Sequence, residues 1–298
     1  MLISGYMFYF SFQNRTLKDL LVHRTQSLLQ PIVFCSFFNY VVTEGIISIM
    51  RGHWFGSSWM SSLPSLWFLW SVLAASIAVS VICKSRTTPL VKFVLLATAS
   101  LLMCIFPNGE MNLFMYPFFV IGFYYAKYKD KIPPVINKAR YLSIPLYVLL
   151  MFFYEKKHYI YTSGLFNKNY STFDMLSIDI YRWIVGLVGS VFFLTILQIF
   201  FTKISTCKNK FSPYTGLCVL GKKSIQIYTL SVPFLSIYLS VFFPKILTFL
   251  NIDNIFVKNM YLYSFVFTFL LSVLYSFALC MISKLLETVK ISKIMFRR

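Results

Sequence analysis

Acidic residues are scarce in this chain: nine Asp and Glu stand against 28 Lys and Arg, and charged residues of both signs make up only 12% of its 298 residues. A soluble domain carries about 25% charged residues, so this composition does not supply an ordinary water-facing surface. Histidine is rarer still. His23, His53 and His158 all fall outside the apolar runs and away from any carboxylate that would tune them as bases, and each reads as a solvated loop residue. The six cysteines, Cys35, Cys83, Cys104, Cys207, Cys218 and Cys280, contain no CxxC and no paired spacing. That pattern argues against a zinc site or a disulfide framework, and it leaves the thiols as small apolar fillers. Period-two alternation is absent, which argues against a membrane β-barrel. No repeat or low-complexity tract is found. Met1–Phe12 has neither the basic start nor the small-residue cleavage site of a signal peptide.

What the chain does have is apolar mass: 58% hydrophobic residues and 33 Phe. The net charge of +19 sits in short clusters between apolar runs, the pattern that orients membrane helices rather than one that grips nucleic acid. A spanning helix needs about 20 apolar residues. Eight segments qualify: Leu28–Met50, Leu63–Ile82, Pro89–Phe106, Met111–Ala126, Tyr141–Tyr154, Asp179–Phe201, Val219–Phe243 and Tyr261–Leu285. The expected fold is therefore an all-α polytopic membrane protein, a single domain over residues 1–298. It comprises a partial helix (1–12), a cytosolic basic loop (13–27), an eight-helix bundle (28–285) and a cytosolic basic tail (286–298).

Charge sets the sidedness. The loop QNRTLKDLLVHRTQSLLQP, Gln13–Pro31, carries Arg15, Lys18 and Arg24 against Asp19 alone. Counted through eight helices in strict alternation, the side that holds this loop collects 21 bases with Asp19, Asp130 and Glu287. The other side collects seven bases and the remaining six acids, so +18 faces +1. Basic loops stay on the cytosolic side, and the C-terminus is expected there too. Met1–Phe12 breaks the pattern: twelve residues at about 1.5 Å each reach about 18 Å, short of a bilayer. It reads as the back half of a spanning helix, or else as an interfacial segment.

Single polar residues carry little by themselves. Glu44 lies near the outer end of the first full helix, and intramembrane acids mark function unless hydrated at the interface. Asp179 and Arg182, three apart, are spaced for an ion pair. Trp54, Trp59, Tyr159 and Tyr161 read as interfacial aromatics, and Lys222 and Lys223 as topogenic charges.

The order of several short patterns is more informative. ISGYMF (Ile3–Phe8), an Arg-containing run ending in Pro (His23–Pro31), LWFLWSVL (Leu66–Leu73), YPFFVIGFYY (Tyr116–Tyr125), YRWIVGLVGSVFFL (Tyr181–Leu194) and LGKKSIQIYTL (Leu220–Leu230) follow one another along the chain. Together they resemble the type 3 membrane acyltransferase family, which includes bacterial O-antigen, exopolysaccharide and fucose O-acetyltransferases. The resemblance implies a ten-helix bundle of the bacterial inner membrane that moves an acyl group from cytosolic acyl-CoA to a carbohydrate hydroxyl. It implies no bound cofactor and no metal. The partners are acyl-CoA, a cell-surface or lipid-linked glycan and the lipid bilayer, and nucleic acid is not among them.

On the same resemblance Arg24 and Arg15 are the acyl-donor candidates, and Glu44, Arg182 and Trp67 the acceptor-side ones. The family's catalytic His belongs to a helix that precedes the SGY segment, so the catalytic residue stays unassigned, and a chain starting at Met1 is expected to be inactive by itself. Ser231 stands where the family's late IYxxH pattern has its His. Paired basic residues before Pro31 reduce here to Arg24. Two other classes fit a basic, aromatic-rich membrane chain: a polysaccharide polymerase or lipid-linked sugar flippase, and a non-catalytic membrane scaffold. The outer stretch Glu155–Ile178 holds no Arg, which counts against a polymerase.

Overall fold

The computed structural model describes residues 1–51, 59–105, 109–131, 140–158, 163, 170–204, 221, 223–237 and 268–288. Every regular element among them is helical. Helix α1 covers Leu2–Gln13 and α2 covers Leu17–Arg24. A π-helical turn, Thr25–Leu29, then leads into α3, Gln30–Arg51. After a 3₁₀ stretch at Trp59–Leu66 come α4 (Trp67–Lys84), α5 (Pro89–Leu102) and α6 (Gly109–Tyr128). The remaining helices are α7 (Ser143–Phe152), α8 (Thr172–Ile204), α9 (Ser224–Ile237) and α10 (Thr268–Thr288).

Each of the eight expected spans contains a helix, so the all-α class holds. By length and composition, two helices among the described residues are long and apolar enough to cross a membrane: Trp67–Lys84 and Thr172–Phe200. Others are shorter or more polar: α5, α7 and α9 run for 14, 10 and 14 residues, and α6 contains Glu110, Asn112 and Lys127. The expected tail 286–298 lies outside the described residues from 289 onward.

One expectation is corrected. Residues 13–27 are not a loop, because Leu17–Arg24 is a helix. Thr16 starts it: its hydroxyl donates to Asp19 Oδ2 at 2.6 Å, and the Asp19 amide donates back to Thr16 Oγ1 at 3.2 Å. This reciprocal pair satisfies donors that a helix start leaves open. The same device at Ser171 and Asp174 starts α8 at Thr172, seven residues ahead of the expected span.

Backbone contacts divide the chain into two compact units, Met1–Leu28 with Trp67–Lys210, and Leu29–Leu66 with Phe211–Arg298. In the first, α6 is the hub, packed by α1, α4 and α5, while α7 lies on α8. Glycine makes the α1–α6 contact. A Cβ on Gly5 would overlap the Phe119 carbonyl oxygen, and one on Gly122 would overlap the Leu2 carbonyl oxygen. Small residues let helix backbones approach this closely. The approach buries Phe8, Phe119 and Phe123 almost completely. Their rings meet in tilted pairs, Phe8–Phe119 at 5.4 Å and Phe8–Phe123 at 6.0 Å, the offset geometry that aromatic quadrupoles favour.

The second unit has its own core of Cys35, Leu66, Leu230 and Leu279. Cys35 serves there as the apolar filler its sequence context suggests. Within this unit Ser283 donates to Gln226 Oε1 at 2.7 Å and Tyr275 to the Ser231 carbonyl at 3.0 Å, while the buried Ser36 hydroxyl has no partner.

Candidate functional site

Arg24 ends α2, half-buried, with its guanidinium carbon 4.8 Å from the Phe8 ring centroid. Phe8 is held by the α1–α6 packing, so the ring is a fixed platform for the cation. The Nε of Arg24 is buried and has no hydrogen-bond partner, an open donor of a kind that native proteins rarely leave unmet. Burial, and then the charge of Arg15, pull the Arg24 pKa down to about 10. At neutral pH the group is still a cation.

Arg15 lies in the short turn between α1 and α2, and its carbonyl accepts from Lys84 Nζ at the end of α4. Lys84 also lies 4.9 Å over the Phe12 ring. His23 is exposed, and partial burial together with Arg15 and Arg24 lowers its pKa, which favours the neutral ring. Asp19 is engaged by Thr16. The outcome is a cationic end of the first unit, with Arg15, Arg24 and Lys84 around the Phe8–Phe12 turn of α1. Guanidinium groups bind phosphate in bidentate fashion, and this is the chemistry the arrangement can supply.

A second polar cluster lies toward the start of α6. Arg182, on α8, pairs with Asp179 at 3.3 Å, and their side chains are 10% and 1% exposed. Asp179 also accepts from the Ser163 hydroxyl. The Arg182 guanidinium lies 4.2 Å over Phe114, and Trp183 stacks on the same ring while donating to the Phe114 carbonyl at 3.0 Å. The expected Asp179–Arg182 ion pair is present. Trp67 is half-buried at the head of α4, where its carbonyl accepts from Ser71 at 3.0 Å. Glu44 lies half-buried on α3, in the second unit.

His158 departs from expectation: it is 6% exposed rather than solvated. The 3₁₀ turn Lys156–His158 folds it back after α7. Its ring lies 4.4 Å from that of Tyr181, and Tyr154 donates to its carbonyl at 3.0 Å. Nothing local in the sequence signalled this, since Tyr181 is 23 positions away. The Glu155 amide donates to His158 Nδ1 at 2.9 Å, so the neutral ring carries its proton on Nε2 and offers no basic nitrogen there.

Burial, then the nearby Lys157 charge, lower the pKa of His158. A lowered folded-state pKa places the stabilisation above the unfolded value of about 6.5, and it is lost as pH falls. The protection factor of the Glu155 amide, its exchange rate set against the intrinsic rate at each pH, should therefore fall between pH 7.5 and 5.5, because a protonated Nδ1 cannot accept. Protection that ignores pH would show that the ring does not hold this turn.

Residues 1–282 match the family model described as an acyltransferase domain, that of the acyltransferase 3 family. The chain belongs to the acyltransferase 3 family. No curated protein and no solved structure matches it. The match runs through both units, and it supports acyltransferase activity in a membrane-associated family. Within the acyltransferase 3 chain, the fold joins three sequence patterns that are far apart along it. Gly5 and Phe8 come from the SGY segment, Arg24 from the run that ends at Pro31, and Phe119 to Phe123 from YPFFVIGFYY. Phe8, the platform under Arg24, escaped the residue-level reading because a Phe on an apolar helix carries no local signal of a role.

Proposed function

We propose that this chain serves O-acyl transfer, of acetyl in our reading, from cytosolic acyl-CoA to a hydroxyl of a cell-surface carbohydrate such as O-antigen, capsule or exopolysaccharide. In that reaction the thioester C–S bond breaks and an ester C–O bond forms. The hydroxyl proton passes to a base, and the released thiolate is protonated. No residue of this chain is assigned as that base. The observation that carries the reading is Arg24: a cation on a rigid aromatic platform, with an unmet buried donor and Arg15 and Lys84 beside it. A polyanionic donor such as acyl-CoA suits such a site. Arg182 and Trp67, in the same unit, are proposed for the acceptor side, with Glu44 of the second unit as a further candidate.

The membrane part of the proposal is a bacterial inner-membrane bundle of eight full helices and a partial one, with its basic side and C-terminus in the cytosol. The +18 to +1 division of charge supports it. One experiment reads both parts. Radiolabelled acetyl-CoA, which does not cross a bilayer, should bind saturably to inside-out vesicles from expressing cells and not to right-side-out ones. Arg24→Ala should weaken that binding by about 1.5–3 kcal/mol, the range for hydrogen bonds to charged groups. Arg24→Lys should recover only part of it, because the guanidinium fork is lost. Saturable binding to right-side-out vesicles alone would overturn the sidedness. An unchanged affinity in Arg24→Ala would reduce Arg24 to a topogenic charge.

A further inference from the structure

A groove of about 890 Å³ runs between α5 and α6 in the first unit, away from Arg24 and from the Asp179–Arg182 pair. Its volume lies within the range of small-molecule sites. The walls are mostly apolar: Phe93, Leu96 and Ala97 from α5 face Val120 and Ile121 from α6. The mouth opens along α5, where Leu90, Phe93, Leu101 and Leu102 are each more than half exposed. An apolar wall of this kind faces lipid, so an occupant enters from the bilayer.

The two cations that line the groove come from the first turn of α5 and the last turn of α6. Lys92 lines it and donates to the Cys83 carbonyl at 3.0 Å. Lys127 lines it as well, over the rings of Tyr124 and Tyr128 at 5.6 and 5.2 Å. Each ammonium has three protons to give. Lys129 and Lys131 follow directly, and Asp130 is the one acid in Lys127–Lys131. A second observation is independent of these charges. Tyr116 lines the groove and is 2% exposed, yet its hydroxyl has no hydrogen-bond partner. It lies near Tyr124 and Cys83, whose polar atoms are 3.8 Å apart.

We propose that this groove holds one anionic phospholipid of the leaflet next to the basic loops. Its phosphate meets Lys92 and Lys127, its glycerol ester region meets the Tyr116 hydroxyl, and one acyl chain lies along Phe93, Ala97 and Val120. Basic side chains at a membrane surface select anionic headgroups, and the orphaned hydroxyl gains an acceptor. The assignment rests on reading these helices as membrane-embedded, with the basic loops in the cytosol.

The full chain, solubilised and supplied with phosphatidylglycerol or with phosphatidylcholine of the same acyl chains, tests this by native mass spectrometry. Phosphatidylglycerol should be retained about tenfold or more over phosphatidylcholine. Lys92→Gln with Lys127→Gln should bring the two to parity, and Tyr116→Phe should lower phosphatidylglycerol retention several-fold. Ala97→Trp, at an exposed position on the wall, should displace both lipids without burdening the core. Equal retention of the two lipids by the unaltered chain, or full retention in Ala97→Trp, overturns the proposal. So does displacement of the lipid by acetyl-CoA, which would make the groove a donor site. Acetyl-CoA binding measured in the same preparation keeps the two readings apart. Donor binding without retained lipid removes the groove assignment alone, whereas retained phosphatidylglycerol without donor binding supports the groove and removes the acyl-transfer reading.

Discussion

Leucine at Gly5 or Gly122 is expected to abolish the folded chain, the largest effect of any single substitution in the first unit. The reason is the identity of the atoms a side chain would meet. At Gly5 they are the carbonyl oxygen, carbon and Cα of Phe119; at Gly122 they are the carbonyl of Leu2 and the amide nitrogen of Tyr6. Backbone atoms in the middle of two helices cannot rotate away as a side-chain tip can, so the helices must separate. Separation opens the packing of Phe8, Phe119 and Phe123 together, and losing one buried Phe side chain alone costs about 3–5 kcal/mol. The combined penalty should exceed the ~4–5 kcal/mol that marks exceptional substitutions. Thermal unfolding in detergent, followed by size-exclusion, should find no monodisperse peak for Gly5→Leu or Gly122→Leu and a clear loss of Tm even for alanine. Gly45, on α3, has nothing within 4 Å of its would-be Cβ, so Gly45→Ala should be neutral or slightly stabilising. Alanine variants at Gly5 and Gly122 with the parental Tm would mean that the α1–α6 contact is looser than described.

Asp179→Ala is expected to be the second most damaging change, at about 3–5 kcal/mol. The pair is nearly closed to solvent, with Arg182 held between Asp179 at 3.3 Å and the Phe114 ring at 4.2 Å. Removing the carboxylate takes the Asp179 charge away from a guanidinium in a low-dielectric site, and it also takes an acceptor from Ser163. The cost comes from weakened compensation of that buried charge rather than from the net worth of the pair, so removing both partners should be far milder. Asp179→Leu combined with Arg182→Met should recover most of the stability. Denaturant unfolding of the two variants reads this directly. A cost below about 1 kcal/mol for Asp179→Ala would mean that water reaches the pair, as at exposed surface bridges. If the double variant keeps both stability and donor binding, Arg182 is needed for neither, and its candidacy rests on the acceptor alone.

Much of the secondary structure was legible because it depends on composition and near neighbours. Eight apolar segments each contain a helix, and the scarcity of acids already pointed away from a soluble surface. The helix at Leu17–Arg24 was legible in principle, since Thr16 and Asp19 stand in capping-box spacing. The density of charge obscures it, because a run rich in Lys, Arg and Gln has the composition of a loop. The burial of His158 is illegible for the opposite reason. A lone His among Lys156, Lys157 and Tyr159 resembles a solvated turn, and its burial depends on Tyr154 folding back and on Tyr181 of another helix. The Asp179–Arg182 pair was readable because three residues along a helix bring side chains to one face, but its Ser163 and Phe114 partners were not.

By itself the sequence determined that the described chain is helical, where its apolar segments lie and how its charge is distributed among them, since each of these is a sum over local composition. The family resemblance came from the order of short patterns, which is also linear information. Only the tertiary structure decided that Gly5 meets Phe119 and that Gly122 meets Leu2, that Phe8 carries Arg24, and that Tyr116 is left with an unpaired hydroxyl in a groove. These contacts join residues up to more than a hundred positions apart. Glycine and phenylalanine are common on any apolar helix, so the same local pattern suits many helix pairings. What selects one is which two backbones can approach closely enough to bury those rings, a property of the helix pair rather than of either segment.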